Sequence, residues 1–88
     1  MPYIQKFKKD ILSRKIKNLM KDHMDTPGEI TFVIYKIILE YSKKTPCYST
    51  YAICEGILDC TKLEFYRKVI APYENKKIKE NGDVKWIL

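Results

Sequence analysis

Residues 26–41 read TPGEITFVIYKIILEY, and the first four of them decide how the rest is read. The Thr26 hydroxyl can accept the amide of Glu29, while the Glu29 carboxylate can reach back to the amide of Thr26. Pro27 suits the first helical position, where its missing N–H leaves nothing unpaired. This capping box opens a helix predicted over 27–43. Ile30, Val33, Ile34, Ile37, Ile38 and Tyr41 form a broad apolar stripe at helical spacing. Phe32, Tyr35 and Leu39 carry apolar character round the remaining surface. The frequent β-branched residues would also suit a strand, but the length of the run and its capping box select a helix. A helix apolar nearly all round is central in its bundle or buried by another subunit.

Downstream, Lys44-Thr45-Pro46-Cys47-Tyr48 is a break, because Pro46 disfavours helical geometry in the residue before it. Ser49 or Thr50 can cap a third helix, predicted over 50–71. Gly56 weakens that helix by about 1 kcal/mol relative to alanine unless it allows a close helix contact. Pro72 is expected to end or kink it, since its ring clashes with the carbonyl of Lys68. A short polar helix follows over 73–81, stopped at Asn81-Gly82, where glycine suits a left-handed terminus. The tail, 82–88, ends in Trp86, Ile87 and Leu88, apolar enough to dock on the body or on a neighbour.

Upstream, Phe7, Ile11, Leu12, Ile16, Leu19, Met20 and His23 recur at helical spacing, which predicts a first helix over 8–23. Asp10 near its start favours the helix dipole. The expectation is an all-α, single small domain over 1–88, with three main helices and a short C-terminal helix after Pro72.

Composition narrows the function. The 88 residues carry a net charge of +6, with 17 basic and 11 acidic side chains. Residues 1–24 alone hold seven bases and two acids, so an anionic partner would be attracted there first. The plainer account is a solvated face that keeps the chain soluble. No apolar run approaches the roughly 20 residues of a membrane-spanning helix. The N-terminus lacks an apolar run of signal-peptide length, which makes a cytoplasmic location the expectation. Cys47, Cys54 and Cys60 are odd in number and lack a close pair. They are expected to pack as buried or half-buried thiols rather than form disulfides or a zinc site. No metal and no cofactor is expected.

Catalysis finds no support: the one histidine, His23, sits on an apolar stripe, and no nucleophile has a partner at fixed spacing. The best candidate ligand-binding set is Tyr66, Arg67, Tyr73 and Lys77. On a continuous helix Tyr66 and Tyr73, seven apart, share a face. Their rings can stack on a base, and Arg67 can clamp a phosphate with two parallel hydrogen bonds. The plainer account places both tyrosines in the core and pairs Arg67 with Glu64 or Glu74. The Asn81-Gly82-Asp83 turn is a lesser anion-binding candidate, and Glu29 is read as a cap.

MPYI at 1–4, TPGE at 26–29, KLEFYRKVIAPYE at 62–74 and KIKENGDV at 77–84 resemble a family of small phage and prophage proteins classed as a domain of unknown function. Two departures stand out. Ile30-Thr31-Phe32 replaces the family's usual Leu-Asn-Tyr pattern, and the chain continues past Val84 into Lys85-Trp86-Ile87-Leu88. The resemblance implies a viral or prophage setting, the cytoplasm of an infected cell and an all-helical fold, and it supplies no activity. From this context comes the leading expectation: a homo-oligomeric protein that sequesters a nucleotide-derived immune signal, a cyclic nucleotide or ADP-ribose-type ligand. The alternatives are nucleic-acid binding through the basic first helix, and a helical inhibitor or adaptor of a host or viral protein.

Overall fold

The computed structural model describes residues 4–22 and 24–82. Among these the regular structure is all helix: α1 (Lys6–Lys21), α2 (Pro27–Lys43), α3 (Tyr48–Phe65), a π-helical turn (Tyr66–Ile70) and α4 (Ala71–Asn81). Contacts gather into two compact units, one running to Cys54 and one from Glu55 onward. The predicted end of the first helix at His23, the docking of Trp86, Ile87 and Leu88, and Asp83 lie outside the described residues.

In the first unit the capping box forms as its residue types dictate. The Glu29 amide donates to Thr26 Oγ1 at 3.2 Å, and the Thr26 amide donates to Glu29 Oε1 at 2.9 Å. The Thr26 hydroxyl also donates to that carboxylate at 2.8 Å, and the Asp25 amide at 3.2 Å. These donors, the Thr26 hydroxyl foremost, hold the Glu29 pKa below its usual 4.5 against the opposing effect of desolvation. A carboxylate whose pKa is lowered on folding stabilises the fold above about pH 4.5, and that stabilisation is lost as pH falls through the folded value. Thr26→Ala is therefore expected to cost about 1 kcal/mol at neutral pH and to flatten the acid limb of the helix signal. Circular dichroism of both proteins between pH 7 and pH 3 checks it.

Two other helix starts differ from expectation. α1 begins at Lys6, before the expected position, because the Gln5 carbonyl takes the amides of both Lys8 and Lys9. Its first turn then contains no acid, and Asp10 lies too far along to complement the dipole. α3 begins at Tyr48, with the Tyr51 amide on the Cys47 carbonyl at 3.1 Å, so Ser49 and Thr50 lie inside the helix instead of capping it. Cys47 Sγ meets Thr50 Oγ1 at 3.4 Å, which lowers the thiol pKa. Of the three thiols only Cys54 is buried, whereas Cys47 and Cys60 are exposed.

Burial is the largest surprise of the first unit. The helical faces are apolar as read, yet α1 and α2 bury no side chain, and Cys54 is the only buried residue among those described. Ile37 is 61% exposed and Phe32 62%, so the helix expected at the centre of a bundle is uncovered within its own unit.

In the second unit, Pro72 neither ends nor interrupts the helix. Helical backbone continues from α3 through the π turn into α4. An α-helical turn would aim the Lys68 carbonyl at the proline ring. The π turn removes that clash by adding one residue: the Ala71 amide bonds to the Tyr66 carbonyl, five residues back. The predicted boundary at 71–73 is thus corrected to an inserted residue just ahead of Pro72. At the far end Gly82 has φ +83° and ψ 153°, a combination only glycine adopts readily, and its amide closes on the Ile78 carbonyl at 2.8 Å. A Cβ on Gly56 would meet nothing within 4 Å, so that glycine serves no close contact among the described residues.

Candidate anion-binding segment at the π turn

The inserted residue changes which side chains share a face. In an uninterrupted α-helix each residue advances about 100°, so positions seven apart nearly eclipse. One added residue rotates everything beyond it by about that angle, and positions eight apart take over the alignment. Accordingly Tyr66 meets Glu74 and not Tyr73: its hydroxyl donates to Glu74 Oε1 at 3.0 Å. That hydrogen bond, with the charge of Glu74 behind it, raises the Tyr66 pKa above 10.0, because ionising the phenol would remove the donor and add a second anion. The expected common face of Tyr66 and Tyr73 is therefore corrected by the register of the π turn.

The cations of this segment gather on carboxylates one helical turn away. Glu64, at the end of α3, accepts Lys68 Nζ at 3.0 Å and Arg67 Nη2 at 3.5 Å. Its side chain is only 13% exposed, while those of Arg67 and Lys68 are 69% and 72% exposed. One carboxylate thus anchors two cations whose outer surfaces face water. Lys68, the first cause, and Arg67 lower the Glu64 pKa. On α4, Lys77 Nζ lies 5.6 Å from the centroid of the Tyr73 ring, within cation–π range, and 3.4 Å from Glu80 Oε2.

Of the four expected site residues, Tyr73 and Lys77 are in direct contact, Arg67 is paired with Glu64, and Tyr66 is tied to Glu74. The plainer sequence account also offered the Arg67–Glu64 pair. Its buried tyrosines are not found, since Tyr66 is 47% and Tyr73 60% exposed. Glu64 and Glu74 were offered from sequence only as partners of Arg67, and Lys68, which shares Glu64, was not offered as part of the site. The i, i+4 spacing of Glu64 and Lys68 could have found that pair. Tyr66 with Glu74 had no such signal, because eight residues match no α-helical neighbour distance.

The π turn can be tested through Tyr66. Pro72→Ala restores an amide at position 72 and removes the ring that opposes an α-helical turn. The expected result is a regular α-helix, loss of the Tyr66–Glu74 hydrogen bond and return of the Tyr66 phenol toward its ordinary ionisation. Ultraviolet titration of the seven tyrosines reads this as the disappearance of a late-ionising component. A late component unchanged in Pro72→Ala would show that proline does not set the turn.

The concave surfaces formed by Met24, Thr26, Gly28, Glu29, Phe32 and Val33, and by Lys36, Ile37, Glu40, Tyr41 and Lys44, lie in the first unit and contain none of the four expected residues. Among the described residues no group of three or more His, Cys, Asp or Glu could hold a metal ion. No described helix is long and apolar enough to cross a membrane.

The family described as a domain of unknown function, DUF6899, matches residues 1–84, and the chain belongs to that family. Among curated proteins and among solved structures nothing matches this chain.

Proposed function

We propose that this member of a family of unknown function is a non-enzymatic binding protein that sequesters a small anionic ligand, a cyclic nucleotide or ADP-ribose-type molecule, at the π turn. The observation that carries the reading is the pair of exposed cations on one carboxylate. Arg67 and Lys68 share Glu64, leaving a local excess of one positive charge where a phosphate would complete the neutralisation. The arginine fork fits two phosphate oxygens at once, and lysine adds a point charge. Tyr73 supplies an exposed ring for a base, with Lys77 already beside it. π turns recur at functional sites, because the inserted residue re-aims the side chains next to it.

The resemblance of MPYI, TPGE, KLEFYRKVIAPYE and KIKENGDV to phage and prophage proteins supports a counter-defence role in the cytoplasm of an infected cell. There a protein acting by stoichiometric capture has no need of a catalytic group. Isothermal titration with cyclic dinucleotides, cyclic trinucleotides and ADP-ribose derivatives tests the reading. Saturable binding of one of them at micromolar concentration is the expected result. No heat and no binding from any of the three classes would remove the proposal.

A further inference from the structure

We propose that a second copy of this chain covers the apolar surface of α2, so that the folded species is a homo-oligomer built on that helix. The argument starts from how α2 divides its circumference. Ile30, Ile34, Ile37 and Tyr41 follow the i, i+4, i+7, i+11 spacing of a helix-packing seam. Phe32, Tyr35 and Leu39 make a second stripe on the opposite side. About a third of a turn from the first seam runs a polar strip in which Glu40 accepts Lys36 at 3.3 Å and Lys43 at 3.5 Å. Those charges satisfy one another on their own helix and mark the side that stays in water.

Among the described residues of its own unit, nothing covers the apolar stripes of α2. Ile34 is 48% exposed, Tyr35 60% and Tyr41 42%, alongside Phe32 and Ile37, and no side chain of α2 is buried. Covering those five side chains removes on the order of 100 Å² each. The half-buried Ile30, Val33, Ile38 and Leu39 add a smaller share. The sum over the two sides, roughly 600 to 800 Å² per chain, approaches the ~800 Å² that each partner contributes to a stable protein interface, and burying it takes neighbouring copies on both sides of α2.

Two observations select a second copy as the occupant. First, the unit that runs to Cys54 buries no described residue but Cys54, so it has no core of its own to hold it folded. Folding then needs a partner that is present whenever the chain is made, and another copy meets that condition. Second, the residues of α2 carry two acids and two bases, Glu29, Glu40, Lys36 and Lys43, and so no net charge, although the chain as a whole carries +6. α2 is therefore a surface on which two equally charged copies can meet without like-charge repulsion, and apolar stripes are complementary to themselves.

Native mass spectrometry and light scattering of the full chain test this, together with the Ile37→Lys and Phe32→Lys variants and Lys15→Glu on α1 as a control. The expected wild-type mass is a multiple of 10.5 kDa. Ile37→Lys is expected to lose the assembly and most of its helical signal together, and Lys15→Glu to keep both. A wild-type monomer of 10.5 kDa that melts cooperatively would overturn the proposal. So would a wild-type chain that stays unfolded alone, which would point to a foreign partner. An assembly that survives both Ile37→Lys and Phe32→Lys would show that α2 is not the interface.

Discussion

The melting temperature of this protein is expected to rise with its own concentration. If copies fold only by covering one another's α2, the unfolding equilibrium contains an association step, and mass action enters its free energy. Between 1 and 100 µM chain the shift is RT ln 100, about 2.7 kcal/mol per dimer. For a dimer of this size each kcal/mol moves the midpoint by roughly 2 to 4 °C, so the expected increase is about 5 to 11 °C. A self-contained monomer shows no such dependence. Far-ultraviolet circular dichroism across that range reads the effect directly, because every described element is helical. If a second copy covers α2, its apolar burial comes from association, since no side chain of α2 is buried among the described residues.

If the chain captures an anionic ligand as proposed, Arg67→Ala is expected to weaken that capture by about 10- to 100-fold, the loss expected for hydrogen bonds to a charged group worth roughly 1.5 to 3 kcal/mol. Arg67→Lys recovers only part of this, since it restores the charge without the fork. Glu64→Gln has the opposite sign. Glu64 holds Arg67 and Lys68 in the free protein and would compete with a phosphate for both, so neutralising it is expected to tighten binding. A merely structural role for Glu64 would give weaker binding instead. Titration of the three variants with the ligand that the wild type retains, each checked for unchanged helical signal, distinguishes these outcomes.

The sequence discloses some of this more readily than the rest, for physical reasons. Thr26, Pro27 and Glu29 announce α2 because a capping box is a local device: both hydrogen bonds close within four residues. The bounds of α2 therefore agree with the reading. Pro72 announces a disturbance without its form, since a stop, a kink and a π turn all relieve the same clash with the Lys68 carbonyl. Only the Ala71–Tyr66 hydrogen bond decides among them. The faces downstream hang on that decision, which is why Tyr66 aligns with Glu74 rather than with Tyr73. The apolar circumference of α2 was likewise legible, but periodicity cannot say whether an apolar face is covered by its own chain or by another. Exposure of Ile37 and Phe32 shows that nothing described in their own unit covers them.

The site residues show the same division. The Arg67–Glu64 pair, three apart on one helix, is readable from spacing. The sharing of Glu64 by two cations is a property of the folded turn, and the functional proposal rests on it.

Native mass spectrometry of the wild type beside Arg67→Ala tests that proposal most directly, each protein mixed with cyclic dinucleotides, cyclic trinucleotides and ADP-ribose derivatives. The wild type is expected to retain one of these ligands through desalting, and Arg67→Ala to release it. A wild type that retains none of them, or an Arg67→Ala variant that holds the ligand as tightly, would contradict the account.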